Sequence, residues 1–254
     1  MSQLTANNIW TYSNFTISEY EELTSTNDLS LELAKKYQIG NNNIIIAKKQ
    51  TSGHGRYGRS WESKSGNLFF SLTLIPKKQI KNPALLSFVS AISLSRSIND
   101  LSLNNNINIL HKWPNDVLVN NKKIAGILLK SDISSQKDQI IVIGIGINLN
   151  SNPKNSSFIS TNLFQENIEY NNYKEILIKF LDHFSKFYDK FNNFGFKPIR
   201  NLWLQNSFKL NKKISINLMS KKETAIFKNL NNSGNLILED DNGNIKEISC
   251  DEIF

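Results

Sequence analysis

The sequence predicts an α+β protein in two parts, a larger strand-and-helix unit over residues 1–206 and a small β-barrel over residues 207–254. Three observations predict it. Short apolar runs of strand length recur along the chain, separated by only a few stretches with helical periodicity. After Trp203 the texture changes to closely spaced short strands broken by Asn/Ser/Gly turns, the pattern of a small closed sheet. Finally, 254 residues with 39% hydrophobic and 20% charged side chains are ordinary for a globular protein and enough for a sizeable core.

Composition narrows the function classes. No apolar run approaches the roughly 20 residues that cross a bilayer. Met1 to Ile17 has neither the basic flank nor the apolar stretch of a signal peptide, so the cytoplasm is the expected address, with no membrane partner. The single cysteine, Cys250, excludes an internal disulfide and a cysteine metal framework, and reads as a small residue in a terminal strand. The net charge of +8 suits anionic partners such as a nucleotide, an acidic protein or a nucleic acid. The lysines are scattered among asparagines, however, without the basic helix or arginine cluster of a nucleic-acid binder.

Taken in order, Phe15–Ser18 reads as a first short strand. Ser25-Thr26-Asn27 offers hydroxyl and amide caps for a helix from about Asp28, with Leu29, Leu33, Ala34 and Tyr37 on one face. Gly40–Asn43 ends it, and Ile44–Ala47 is a buried strand. A polar, glycine-rich stretch from Gln50 to Asn67 precedes a strand over Leu68–Leu74. Pro83 suits the first turn of a second helix, whose Leu85, Phe88, Val89 and Ile92 form one buried face. Strands follow at Ile107–Leu110, Val117–Val119, Ile124–Leu129 and Ile140–Ile147, with Asn120-Asn121 as a hairpin turn. Tyr173–Phe191 is the clearest helix, with Leu177, Phe180, Leu181, Phe184, Tyr188 and Phe191 as a core stripe. In the last part, Lys213–Leu218, Lys222–Phe227, Leu236–Asp240 and Ile245–Ile248 are strands.

The glycine loop Gly53-His54-Gly55-Arg56-Tyr57-Gly58-Arg59-Ser60 satisfies the dinucleotide pattern G-x-G-x-x-G. With Arg59 for lysine it nearly satisfies the phosphate-loop pattern. Both need the glycines to open a helix whose N-terminal amides hold phosphate. Here Trp61-Glu62-Ser63-Lys64-Ser65-Gly66-Asn67 carries no helical periodicity and leads into a strand, so neither reading holds. What remains is a glycine-jointed segment with two guanidiniums and an imidazole. Such a loop can close over an anionic species and keep water from it. A second constellation is Lys112-Trp113-Pro114-Asn115-Asp116, followed across the hairpin by Lys123-Ile124-Ala125-Gly126. It gathers two lysines, an amide and a carboxylate, chemistry suited to a nucleotide phosphate with Mg²⁺.

These motifs resemble those of the biotin protein ligases, which share a fold with the lipoate-protein ligases. The match runs in order through Ser25-Thr26-Asn27, Gln50 with the Gly53–Arg59 loop, Lys112–Asp116, Lys123–Gly126 and Ile143-Gly144-Ile145-Gly146-Ile147-Asn148. The resemblance implies a mixed-sheet catalytic unit flanked by helices, with a C-terminal barrel of SH3-like type. It also implies formation of biotinyl-5′-AMP from biotin and ATP, with Mg²⁺ accompanying the nucleotide, and then transfer of biotin to one lysine of a biotin carboxyl carrier domain. By the same resemblance, Ser25, Thr26, Asn27, Gln50, Gly53, His54, Gly55, Arg56, Lys123 and Gly126 bind biotin or the intermediate. Arg59, Trp61, Lys112, Asn115, Asp116 and Asn148 lie on the nucleotide side, with Asp116 also the metal contact. Arg56, Lys123 and Asp116 are the implied catalytic groups, Asp116 as proton acceptor in the transfer step.

Two departures from the family pattern bear on function. The family loop begins Gly-Arg-Gly-Arg, and His54 occupies the first arginine position here, where an imidazole is only partly protonated near neutral pH. About 14 residues precede the expected first strand, too few for the DNA-binding domain that some relatives carry, so no DNA partner is expected. Monomer and homodimer both stay open. The rival readings are a lipoate ligase on the same fold and a basic nucleic-acid-binding protein working through its small barrel.

Overall fold

The computed structural model describes residues 5–102, 107–154, 158–217 and 222–249. Its larger part is an eight-stranded sheet formed by β1 (Asn8–Tyr12), β2 (Phe15–Leu23), β3 (Asn43–Gln50), β4 (Leu68–Leu74), β5 (Ile109–Lys112), β6 (Asp116–Val119), β7 (Lys122–Ile133) and β8 (Gln139–Ile147). The strand order is β1-β2-β3-β4-β8-β7-β6-β5. Only β2 and β3 run parallel, joined by the crossover helix α1 (Thr26–Lys35), and every other neighbouring pair is antiparallel. The sheet is therefore mixed, and with its helices it is the α+β architecture expected.

Both faces of the sheet are covered, which explains why several strands read as continuous apolar runs. On one face α2 (Leu86–Leu101), α3 (Tyr173–Phe194) and α4 (Phe196–Gln205) enclose the main core with Phe70, Ile143, Ile145 and Ile147. On the other face α1 covers Ile45, Ala47, Ile140 and Val142 in two small clusters. Strand β8 shows the division residue by residue. Its odd positions Ile141, Ile143, Ile145 and Ile147 face the main core. Its even positions change from Ile140 and Val142, under α1, to Gly144 and Gly146, where Asn27 and the Trp61 ring lie directly on the backbone.

Helix α2 passes through this core with its hydroxyls satisfied internally. Ser90, Ser93, Ser95 and Ser97 each donate to the carbonyl four residues back, at 2.7–2.8 Å, so their burial leaves no orphaned donor.

Phe208 follows a turn after α4, and β9 (Lys213–Asn217), β10 (Lys222–Leu230), β11 (Leu236–Glu239) and β12 (Ile245–Ile248) form an antiparallel meander. This small sheet is consistent with an SH3-like unit. It shares the main core: Phe227, Leu236 and Leu238 cluster with Phe88 and Trp203. Arg200 donates to the Leu230 carbonyl and Asn232, and Trp113 Nε1 donates to the Gly234 carbonyl at 2.8 Å. At Gly234 (φ +82°) a side chain would lie 2.8 Å from the Phe88 ring.

Several expectations need correction. The first strand is β1, not Phe15–Ser18, so fewer residues precede the sheet than expected. β1 is an edge strand of five residues with Trp10 and Tyr12 half-buried against the main core and Ile9 exposed, an alternation too short to mark a strand. Pro83 opens a short 3₁₀ turn, and the α-helix starts at Leu86. Tyr37 does not belong to the buried face of α1: it lies past the helix end, at φ +57° and 44% exposed. The strand expected from Ile107 begins at Ile109. Helix α4 was not anticipated. Cys250 and Leu218 lie outside the described residues. The Asn120-Asn121 turn is as expected, both residues left-handed at φ 50° and 62°, the geometry of a two-residue hairpin loop.

Candidate active site

A cleft of about 1160 Å³ lies over the glycine-bearing half of β8 and the neighbouring part of β7, walled by α1, the glycine loop, the β5–β6 turn and the C-terminal sheet. Its floor is made by removing side chains. Gly126 on β7 and Gly146 on β8 are paired across the ladder, and the Trp61 indole lies on both. A Cβ at Gly126 would fall 2.8 Å from that ring and one at Gly146 would fall 2.5 Å from it. At Gly144 a Cβ would come within 2.3 Å of Asn27 Nδ2. The Ile/Gly alternation of β8 thus builds a hydrophobic core on one side and a flat trench on the other.

One end of the cleft is neutral and held by a chain of hydrogen bonds. Ser25 caps α1 by accepting from the Asp28 amide at 3.3 Å, as the N-cap position favours. Behind it runs a directed chain of hydrogen bonds. Ser71 donates to Thr26 Oγ1 (2.9 Å), Thr26 donates to Gln50 Oε1 (3.1 Å), Gln50 Nε2 donates to Ser63 Oγ (2.9 Å), and Ser63 donates to the Trp61 carbonyl (3.0 Å). The Thr26 amide also donates to Gln50 Oε1 at 2.8 Å. Gly53 packs against this chain, since a Cβ there would meet Ser63 Oγ at 2.3 Å. Asn27 is 4% exposed; its Nδ2 donates to the Leu128 carbonyl, while its Oδ1 is buried with no partner. An unmet buried acceptor is costly and suits a ligand bearing N–H groups.

The other end is charged. Lys123 Nζ lies 2.7 Å from Asp116 Oδ1, and Lys112 Nζ lies 3.7 Å from Asp116 Oδ2. The Lys123 ammonium also lies 5.1 Å from the Trp61 ring centre, and that of Lys112 lies 4.4 Å from the Phe158 ring. Burial, with the Lys123 and Arg59 charges adding to it, pushes Lys112 below the ordinary lysine range against the opposing pull of Asp116. Asn115 is spent on the Ile127 carbonyl (2.7 Å) and Asn148 on the Thr161 carbonyl (2.9 Å), so both fix the walls of the cleft. An arrangement of this kind receives an anion and neutralises charge that develops on it.

The glycine loop closes on itself: His54 bridges Ser60, the Gly55 amide donates to the Arg59 carbonyl (2.7 Å) and the Trp61 amide donates to the Gly53 carbonyl (2.8 Å). Between them Arg56–Gly58 makes one 3₁₀ turn, with the Arg56 guanidinium over the Tyr57 ring and donating to its hydroxyl at 2.7 Å. No helix follows Ser60, as the sequence required. His54 Nε2 stands 3.8 Å from Asp28 Oδ2, and Asp28 also pairs with Lys130.

Every residue singled out from the sequence borders this cleft or, for Gly53, packs directly behind it. Sequence reasoning missed Ser63, Ser71, Gly144 and Gly146 as parts of the site, together with the wall given by Lys213, Ile214, Phe227 and Leu236 of the C-terminal sheet. A signal existed for two of these groups: Ser71, like Thr73, interrupts a mainly apolar strand, and the glycines of β8 recur with period two. The C-terminal wall left none. Among the described residues no three His, Cys, Asp or Glu side chains gather to hold a metal ion, and Asp116, the expected metal contact, is already paired with two lysines. No helix among them is long and apolar enough to cross a membrane.

Comparison with known proteins agrees with this chemistry. A biotin–[acetyl-CoA-carboxylase] ligase of Paracoccus denitrificans is 32% identical over 235 residues, covering 91% of this chain and 96% of that protein. The bifunctional ligase/repressor BirA of Bacillus subtilis is 31% identical over 241 residues, 91% of this chain and 72% of that one. A solved biotin protein ligase from Aquifex aeolicus, in complex with biotin and ATP, superposes with a TM-score of 0.79 at 29% identity, covering 94% of this chain and 97% of that chain. The model of the biotin/lipoate A/B protein ligase family matches residues 20–148, the span that holds α1, the glycine loop, both lysines and the glycine floor, and the chain belongs to that family.

Proposed function

We propose that this cleft activates biotin as biotinyl-5′-AMP and passes it to one lysine of a biotin carboxyl carrier domain in the cytoplasm. ATP-dependent biotinylation of a protein is the activity of this chain's family relatives, and the two unlike ends of the cleft supply what it needs. The ureido ring of biotin is neutral, flat and bears N–H donors and a carbonyl. It suits the Ser25–Asn27 and Gln50 end, where Asn27 Oδ1 lacks a donor. The valeryl chain runs over the glycine floor beside Trp61, bringing the carboxylate to Lys123. Arg59, Lys112 and Asn115 border the nucleotide, with Asn148 holding the strand behind it.

In the first step a biotin carboxylate oxygen attacks the α-phosphorus of ATP. The bond to the β-phosphate oxygen breaks, and pyrophosphate leaves with the electron pair. Negative charge grows on the oxygens around phosphorus, and Lys123, held by Asp116, stabilises it more in the transition state than in the ground state. Mg²⁺ would accompany the nucleotide phosphates and supply charge neutralisation there, with Asp116 the carboxylate that would face it; among the described residues no three His, Cys, Asp or Glu side chains gather to hold it. In the second step the neutral amine of the acceptor lysine attacks the acyl carbon, AMP leaves, and the amine gives up a proton, which Asp116 would accept. Arg56 and the loop shield the mixed anhydride from water meanwhile.

The observation that carries this reading is the Lys123–Asp116–Lys112 group at one end of a trench whose other end is neutral. The test is biotin- and ATP-dependent release of pyrophosphate, followed by labelling of a carrier domain, with lipoate as the competing acid. Lys123→Ala is expected to lower the rate of adenylate formation by about 10²–10³-fold, the usual loss for one donor to a developing oxyanion. Preference for lipoate, or an unchanged rate in Lys123→Ala, would overturn the reading.

A further inference from the structure

Glu166 takes no part in the chemistry above, yet its carboxylate is among the most heavily engaged in the molecule. The side chain is 4% exposed. It accepts from Lys122 Nζ at 2.5 Å, from Asn120 Nδ2 at 2.7 Å and from Thr161 Oγ1 at 2.5 Å. Burial alone would push its pKa up; the donors from Lys122, Thr161 and Asn120 outweigh this and hold it below the ordinary glutamate range. A buried carboxylate with its donors in place is rigid, and removing one partner of such a network is costly.

The donors tie two separate pieces of chain. Asn120 and Lys122 belong to the hairpin between β6 and β7, and Thr161 belongs to the segment after β8. The backbone of Lys123 lies between them: its amide donates to the Ile159 carbonyl (2.8 Å), and its carbonyl accepts from the Thr161 amide (2.9 Å). That stretch of β7 is irregular. Val117 pairs with Ala125 but Leu118 pairs with Lys123, so Ile124 is the extra residue of a β-bulge. Bulges re-aim side chains, and this one does so. Ile124 and Ala125, adjacent in sequence, both enter the main core, fully buried. Strict alternation from Gly126, which faces the cleft, would send Ile124 to the cleft and Lys123 to the core. The bulge reverses this and turns Lys123 toward Asp116.

We infer that Glu166 is a positioning residue for Lys123. By clamping the β6–β7 hairpin to residues 159–161, it holds the bulged start of β7 in the one register that aims the lysine into the cleft. The inference rests on the role given to Lys123 above. It predicts that Glu166 governs the chemical step and not the binding of biotin, which engages the far, neutral end.

The test is a double-mutant comparison, reading pyrophosphate release and biotin affinity in each variant. Glu166→Ala is expected to slow adenylate formation about 10- to 100-fold, the scale of loss when a reacting group shifts by about an ångström, with the biotin Kd changed less than about twofold. Glu166→Gln, which keeps one acceptor oxygen, recovers part of the rate. In the Lys123→Ala background Glu166→Ala costs less than about twofold, because the side chain being positioned is gone. Wild-type rates in both Glu166 variants, an equal fold-loss in the two backgrounds, or a biotin Kd that rises in step with the rate loss would each overturn the inference. If Glu166→Ala does not fold, Glu166→Gln and Thr161→Val carry the same comparison. An undiminished rate in Lys123→Ala alone refutes the role of Lys123, and this inference falls with it; loss in Lys123→Ala with no loss in the Glu166 variants refutes this inference only.

Discussion

The two ends of the cleft are built on opposite principles. At the neutral end no ionisable side chain appears among Ser25, Thr26, Asn27, Gln50, Ser63 and Ser71, and the four bonds that run from Ser71 through Thr26, Gln50 and Ser63 to the Trp61 carbonyl all point in one direction. At the charged end two lysines converge on one carboxylate. The first end selects by unmet and met hydrogen bonds, which reject a ligand lacking the matching groups. The second acts on whatever anion arrives there. In the function proposed above, recognition and chemistry are separated along one trench, so perturbations should fall on one end or the other.

Acid should strike the charged end hardest. His111, next to Lys112, is 1% exposed, stacks on Trp203, and bonds Ser95 and the Trp203 carbonyl through its two ring nitrogens. Burial pushes its pKa down to about 4. A neutral imidazole is therefore favoured in the folded state. Its stabilisation is full above the unfolded value of about 6.5 and is lost as pH falls through the window down to about 4, on the order of 3 kcal/mol in all. Denaturant melts at pH 7 and pH 4 should show this difference, and His111→Phe should remove most of it; an unchanged pH dependence in His111→Phe would refute the assignment.

The floor glycines separate the ends by position. Gly144→Ala presses on Asn27 and Gly146→Ala presses on Trp61, and overpacking of this kind costs about 1–3 kcal/mol. Isothermal titration should find biotin weakened roughly tenfold or more by the first and ATP weakened by the second. Equal effects on both ligands would show that the ends are not separate.

Within the neutral end, Thr26→Val removes the acceptor of Ser71 and one of the two donors to Gln50. A loss of about 1 kcal/mol is expected, seen as a roughly fivefold higher biotin Kd with the KM for ATP unchanged. The smallest effect concerns the lid. His54 stands on this loop opposite Asp28, which also pairs with Lys130. In His54→Arg retention of biotinyl-AMP should become stronger by a few-fold, because a guanidinium adds a fixed charge and a fork of donors. Indistinguishable release rates for the two proteins would remove His54 from the mechanism.

Much of this was legible in the residues. The lysine, carboxylate and glycine motifs announced themselves by type and spacing, and the lack of periodicity after Ser60 excluded a phosphate-binding helix. Strand β4 and helix α3 follow from their apolar patterns. What escaped depends on register and on distant pairings. The bulge at Ile124 leaves no mark in a run where Ile124, Ala125 and Ile127 are all small or apolar. Glu166 is one acidic residue among many until Asn120, Lys122 and Thr161 are brought to it. The edge strand β1 offers only the half-buried Trp10 and Tyr12 as a pattern, and α4 is short and adjoins the long α3.

The core shared by the small C-terminal sheet and the helices has a consequence for cooperativity. Phe227 and Leu236 line the cleft and also belong to the cluster that holds Phe88 and Trp203. Local openings release regions with few buried apolar contacts, not regions woven into the global core. The back wall of the cleft is therefore among the last parts of the molecule to open, while the glycine loop, with no apolar anchor between Gly53 and Ser60 but the half-exposed Tyr57, is free to fluctuate without it.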